Sequence, residues 1–259
     1  LFGATVKQTL AWIGLDKNSP VRLDLRHASV GVIGDDEQSW PRKGNLLLDG
    51  FVYEKIGEGP TDAGKRLQWL ARQPDGFVPQ PYRQLAKVLR EAGDDAGARD
   101  VLIAMENARL RHGTLSFTQR VVAWILRLTV GYGYKPLRAL WYIAFFVLLG
   151  TMLFSWGRNS NVIVAVTGKY TPAPYQSFNP FVYSLENFLP LVNLRMAEYW
   201  MPDANAAPTP LLLPFSDTLA PAPLWLGSFL RWYLWLHILL GWFFASMLIA
   251  GVTGLVRRE

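Results

Sequence analysis

The sequence predicts a mainly α membrane protein, with two transmembrane helices flanking a short re-entrant or interfacial helix and a small α+β cytoplasmic domain ahead of them. Three observations predict this. Between Arg138 and Arg158 lie 19 residues without a formal charge, and between Arg231 and Arg257 lie 25, against about 20 needed to cross a bilayer as helix. Trp141, Tyr142, Trp156, Trp232, Tyr233 and Trp235 stand near the ends of these runs, where interfacial aromatics belong. Nearly all of the charge precedes residue 139, so the N-terminal half has the character of a water-soluble unit.

That division is hidden in the averages, a hydrophobic fraction of 51% and a mean hydropathy of +0.13. The N-terminal half, about 115 residues, is long enough for one small core. Boundaries are expected at residues 1–56 (strands), 57–113 (helices), 114–136 (an amphipathic interfacial helix and linker) and 137–259 (the two-span domain with a long extracytoplasmic connection).

The net charge of +6 does not come from a dense basic stripe interleaved with aromatics, so nucleic acid is not an expected partner. The lipid bilayer is. Arg109, Arg111, Arg120, Arg127, Lys135 and Arg138 precede the first run, and Arg257 and Arg258 follow the second. The excess of cations places both ends in the cytoplasm. The chain has no cysteine, which excludes disulfides, thiolate nucleophiles and cysteine-ligated clusters. His27, His112 and His237 lie in three separate segments without ligand spacing, so no metal, cofactor or enzymatic centre is expected. The chain begins Leu-Phe-Gly with no visible cleavable signal peptide, which leads us to expect a longer parent protein.

Along the chain, Val21–Val30 alternates apolar and polar residues, and Asn45–Tyr53 is rich in strand formers between Gly44 and Gly57. Both predict short strands. They are too few for a barrel, so a sheet or stacked coil continued upstream is expected, with an edge that needs covering. From Asp62 the period becomes helical. Leu67, Leu70 and Ala71 form one face; Tyr82, Leu85, Ala86, Val88 and Leu89 a second; Ala98, Val101, Leu102, Met105 and Leu110 a third, and the three helices are expected to cap the strands. Ser116–Val130 carries Val121, Val122, Trp124, Ile125 and Leu128 beside Arg120 and Arg127, the pattern of a helix lying in the headgroup region.

Two strings imitate known motifs. Thr129-Val-Gly-Tyr-Gly133 spells a potassium filter, but no outer span precedes it and Arg127 and Lys135 flank it. A glycine stop between two helices accounts for it. Gly59-Pro-Thr-Asp-Ala-Gly64-Lys65-Arg66 has phosphate-loop spacing, yet Arg66 replaces the magnesium-binding hydroxyl and Pro60 removes a donor.

The segment Asn179–Pro190 carries more chemistry. Asn179 is a good N-cap, Pro180 suits the first turn and Pro190 ends the helix. The helix is too short to span. It is apolar except for Ser184, Glu186 and Asn187, and Leu191-Val-Asn193-Leu194 follows where a filter would hang. In the second run, Ser246, Ala250 and Gly254 recur every four residues, and Gly241 and Ala245 form another small pair. Such residues let helices approach closely, against the first span or a neighbouring subunit, so a homo-oligomer is expected. His237 is the one ionisable group inside that run; it serves either an interface hydrogen bond or a function.

The strings Leu-Leu-Leu-Asp-Gly-Phe-Val-Tyr (46–53), Arg-Leu-Gln-Trp-Leu-Ala-Arg-Gln (66–73), Pro-Gln-Pro-Tyr-Arg-Gln-Leu-Ala (79–86) and Gly-Tyr-Gly-Tyr-Lys-Pro-Leu-Arg-Ala-Leu (131–140) resemble the C-terminal region of bacterial membrane proteins with an upstream pentapeptide-like β-solenoid. The resemblance covers most of the chain. It implies that residues 1–56 are the terminal coils of that solenoid, capped by helices ahead of a two-span module in the bacterial inner membrane. Some relatives are labelled membrane-associated oxidoreductase, although this chain has no dinucleotide-binding glycine pattern, cysteine pair or haem ligand set. The order of span, half-helix and span leads us to expect an oligomeric channel-like protein with a cytoplasmic regulatory or binding domain. The alternative is a non-conducting, membrane-anchored scaffold presenting a solenoid to a cytoplasmic protein partner.

Overall fold

The computed structural model describes residues 1–15, 21–166, 177–206 and 223–253, with the backbone alone at 211–212 and 219–220. About 51% of the described residues are helical, which makes the chain mainly α. It divides into two compact units, Leu1–Ile125 and Leu126–Glu259.

The first unit opens with five strands, β1 (Thr5–Trp12), β2 (Leu23–Asp24), β3 (Ser29–Asp35), β4 (Leu46–Leu47) and β5 (Val52–Glu58). Each predicted strand is in fact two short ones, because the chain turns a corner within it. Among the described residues, all the pairings in this unit are parallel. Thr5 lies opposite Ser29 and Ser29 opposite Val52 in one ladder, while Leu23 lies opposite Leu46 in the other. Successive partners are therefore 23 or 24 residues apart.

The corner repeats with the ladder. Gly3, His27 and Gly50 all take left-handed backbone, with φ of 66°, 57° and 73°. Just after each, the N–H of Ala4, Ala28 and Phe51 donates to the carbonyl three residues back. Rungs stack because His27 N–H donates to Asp49 O at 2.9 Å and Gly3 N–H to Arg26 O at 2.9 Å. Side chains pointing inward form columns: Leu25 over Leu48, Ala28 over Phe51, Val30 over Tyr53, all at most 4% exposed.

Three helices close this core: α1 (Ala63–Leu70), α2 (Gln80–Glu91) and α3 (Asp95–His112). Asp62 and Asp94 cap α1 and α3 by accepting from Lys65 and Gly97 N–H at 2.9 and 2.8 Å, as short polar residues do at helix starts. Trp69, Leu70, Leu85, Val88, Leu89 and Val101 join the strand core. The edge of β5 is covered by α2, whose Gln80 and Gln84 amides donate to the carbonyls of Phe51 and Tyr53 at 2.9 and 2.6 Å. A fully buried ion pair ties the helices to the ladder. Arg66 donates through both terminal nitrogens to Asp35 at 2.8 and 2.7 Å, and Trp40 Nε1 adds a third bond to Asp35 at 2.9 Å. This is the role of the residue that breaks the phosphate-loop string.

After α4 (Phe117–Val130) the filter-like string forms a tight 3-10 turn, Gly131–Gly133, with Tyr132 left-handed at φ 58°. Then come α5 (Arg138–Asn159), β6 (Ile163–Ala165), α6 (Pro180–Phe188), β7 (Trp200–Pro202) and α7 (Leu226–Val252). β6 pairs antiparallel with β7, and a further antiparallel pair joins β8 (Leu211–Leu212) and β9 (Leu219–Ala220). The long connection between α5 and α7 therefore holds short strands as well as α6. Both α5 and α7 are long and apolar enough to cross a membrane.

Candidate functional site

The site is built by α6. Asn179 Oδ1 accepts from the N–H groups of Phe181 and Val182 at 3.0 and 3.2 Å, and Pro180 sits in the first turn. Nine helical residues reach about 14 Å, half the length of α7 or less. Aromatic and polar contacts give its course. Tyr183 meets Phe154 near the C-terminal end of α5, Ser184 meets Val147 and His237, and Phe188 meets Phe146 and Phe244. Hence α6 runs antiparallel to α5 and along α7, from the end near β6 and β7 to the middle of both long helices.

The chain then comes back. Trp200 pairs with Ala165, and its ring lies against Phe178 at the start of α6, 5.3 Å between centroids. Residues 179–200 thus descend as helix and return without helix. Glu186 holds the two legs together by accepting from the N–H groups of Met196 and Ala197 at 2.8 and 3.1 Å. Asn193 Oδ1 accepts from Arg195 N–H at 3.0 Å, shaping a tip in which Arg195 is left-handed at φ 62°. That tip faces outward, with Leu191 86% exposed.

At mid-length the three helices share one buried polar cluster. Ser184 Oγ donates to Val147 O at 2.8 Å. His237 Nε2 lies 3.1 Å from Ser184 O and 3.2 Å from Ser184 Oγ, and its Nδ1 lies 3.2 Å from the Tyr233 hydroxyl. A carbonyl only accepts, so Nε2 carries the proton and Nδ1 accepts from Tyr233. A neutral imidazole satisfies every partner. The ring is enclosed by Phe154 and Phe188, at 5.7 and 4.8 Å between centroids, and neither Ser184 nor His237 is exposed.

Two glycines make the packing possible. A Cβ on Gly150 would stand 2.7 Å from His237 Cε1 and closer still to Ser184 Oγ; one on Gly241 would overlap the carbonyl of Phe188, 2.6 Å from its carbon. The small residue Gly241 therefore meets the end of α6, where the sequence pointed to the first span or another subunit. Of the rest of that stripe, Ala245 and Ala250 are half-buried and Ser246 is exposed. Gly254 lies outside the described residues, as do Arg257 and Arg258.

Among the predicted polar residues, the structure brings Ser184 and His237 together. Glu186 and Asn193 shape the return leg, and Asn187 donates to Tyr183 O within α6 at 2.8 Å. Tyr233, expected at an interface, turns its hydroxyl inward. Gly150 was not singled out from the sequence; its role shows only in its close packing against Ser184 and His237. Comparison with known protein families, curated proteins and solved structures finds no match for this chain.

Proposed function

We propose that the chain is an oligomeric, channel-like bacterial inner-membrane protein with two spans per subunit and both ends cytoplasmic. The observation that carries this reading is the segment 179–200, which enters between two helices of spanning length to their middle and returns to the same end. Irregular backbone at membrane depth is tolerated where it lines a water-filled cavity or is buried in protein. The tip at Leu191–Arg195 has such a place if it faces an axis between subunits.

The conducting path belongs between subunits. Within one subunit, Phe146, Phe154, Phe188 and Phe244 fill the space around the Ser184–His237 pair. Only 22% of the most apolar window of each long helix is buried inside the chain, so the remaining faces meet lipid or other copies. One stripe of α7, Trp232, Trp235, Leu239, Trp242, Ser246 and Ile249, is exposed along its length.

In the cytoplasmic unit, residues 1–56 are read as the terminal coils of a β-solenoid. The three equivalent corners at Gly3, His27 and Gly50 support this, as do parallel partners one coil apart. The helices α1–α3 then seal its last coil, and α4 lies along the inner headgroups.

The test is ion flux from liposomes holding the purified protein. Flux is expected, and Asn193→Ala and Glu186→Ala should change it, the latter because two backbone donors lose their acceptor. An ion-tight oligomer with a sealed axis would overturn the reading and leave the membrane-anchored scaffold.

A further inference from the structure

A cleft of about 730 Å³ opens in the first unit between β4, the loop after α1, Tyr82 of α2 and the last two turns of α3. That volume lies within the range of small-molecule sites, about 300–1,000 Å³. Small side chains create it. The lining from α3 includes Ala104, Asn107, Ala108 and Arg111, positions i, i+3, i+4 and i+7 of one helical face. Two alanines stand where a core-facing helix would carry leucines. The floor is apolar, with Leu46, Leu48 and Leu70 nearly inaccessible beneath the opening.

Polar groups gather at the rim. Arg26 is held by Asp24 at 2.8 Å and Lys43 by Asp75 at 2.8 Å. The side chain of Arg111 has no hydrogen bond or ion pair among the described residues, and it shares the cleft with His112. A cation without a carboxylate partner, set above an apolar floor, matches a ligand with a flat apolar body and one anionic group. A guanidinium binds phosphate or carboxylate with two parallel hydrogen bonds. Tyr82, half-buried at the wall, supplies an aromatic surface for the body.

We propose that this cleft is a binding site for a small aromatic anion, its charged group on Arg111 and its ring between Tyr82 and the alanine face of α3. The site lies in the unit that the channel reading assigns to regulation. It does not depend on conduction, because binding is measured directly.

Equilibrium dialysis of the purified full chain tests it, with AMP and indole-3-acetate as probes and adenosine, indole and inorganic phosphate as their separated halves. At least one anion should bind saturably below about 1 mM. Its uncharged counterpart and phosphate alone should each bind at least about ten-fold more weakly, as expected from one charge-assisted pair. Arg111→Gln, on an exposed helix end, should weaken the anion by about ten-fold or more and leave the circular dichroism unchanged. Ala108→Leu should abolish binding by filling the cleft, while Ala108→Ser should retain it. The proposal is overturned if neither anion binds saturably in this range, if the uncharged halves bind as well, or if Arg111→Gln and Ala108→Leu both leave binding unchanged. Loss of anion binding with flux intact would remove this site alone; flux lost with binding intact would remove the channel alone.

Discussion

Gly241→Ala should release α6 from between the long helices. The added Cβ would overlap the carbonyl oxygen of Phe188 and stand 2.6 Å from its carbon and 3.0 Å from its Cα. All three atoms are backbone, so no rotamer change relieves the overlap, and the end of α6 must move by roughly the shortfall from an ordinary 3.4 Å contact or more. That motion disturbs the stacking of Phe188 on Phe146 and Phe244, and it pulls Ser184 away from Val147 and His237. Overpacking alone costs about 1–3 kcal/mol, and each buried hydrogen bond lost adds about 1 kcal/mol. A total near 3 kcal/mol corresponds to a fall of roughly 10 °C in Tm for a unit of this size. The absence of native cysteine allows a direct reporter. Ser184→Cys is near-isosteric and buried, so a water-soluble maleimide should leave it unlabelled in the parent and modify it in the Gly241→Ala background. Ser246→Ala, on an exposed position of the same helix, should do neither. Unchanged Tm and continued protection of Cys at position 184 in the Gly241→Ala chain would refute the argument that this contact seats α6.

In the first unit, Asp35→Asn removes the charge facing a fully buried Arg66 and should cost about 3–5 kcal/mol, read by urea denaturation; the pair Asp35→Leu with Arg66→Met should recover part of it. Glu186→Gln keeps an oxygen able to accept from Met196 and Ala197, so flux close to that of the parent assigns a clamp, whereas a change as large as that of Glu186→Ala assigns the charge itself. A spin label at Val122→Cys on α4 should be more accessible to oxygen than to a water-soluble nickel complex if that helix lies in the interface. Arg26 holds the Asp24 carboxyl down at about 2, chiefly by its hydrogen bond. A depressed folded-state value stabilises above the ordinary carboxylate range and is lost as pH falls through about 2. An NMR titration should show Asp24 charged at pH 3, and Arg26→Gln should return it towards the usual range.

How far the fold could be read in advance depended on the kind of order involved. The long helices were legible because an uncharged run of 19 or 25 residues has few structural uses, and α5 and α7 fall on those runs. The cap of α6 was legible as Asn179, whose side chain satisfies the first N–H groups, whereas the capping roles of Asp62 and Asp94 were not singled out. The stacked corner was missed, although its period is written in the chain. Leu23-Asp-Leu-Arg-His-Ala-Ser-Val30 and Leu46-Leu-Leu-Asp-Gly-Phe-Val-Tyr53 superpose at an offset of 23, with His27 taking the place of glycine at Gly50. Alternation within each segment suggested one straight strand, whereas the left-handed residue bends it after two pairs. Histidine at that corner concealed the repeat, since a search for turn glycines passes over it.

The site was harder for a different reason. Ser184, Glu186, Asn187, Asn193 and His237 were singled out as polar groups in an apolar setting, but polarity does not say what each faces. Hydrogen-bond accounting separates them. Ser184 and His237 saturate one another with Val147 and Tyr233, so they join helices and leave no group to meet an ion. Glu186 accepts through Oε2 from two backbone N–H groups of the return leg. What remains outward is the tip around Leu191 and Asn193. On the proposed channel reading, chemistry at this site depends on what covers that tip, and surrounding copies of the chain would complete it. Oligomer order in lipid and ion flux should therefore fail together when α6 is displaced by Gly241→Ala, while binding in the cleft of the first unit should survive.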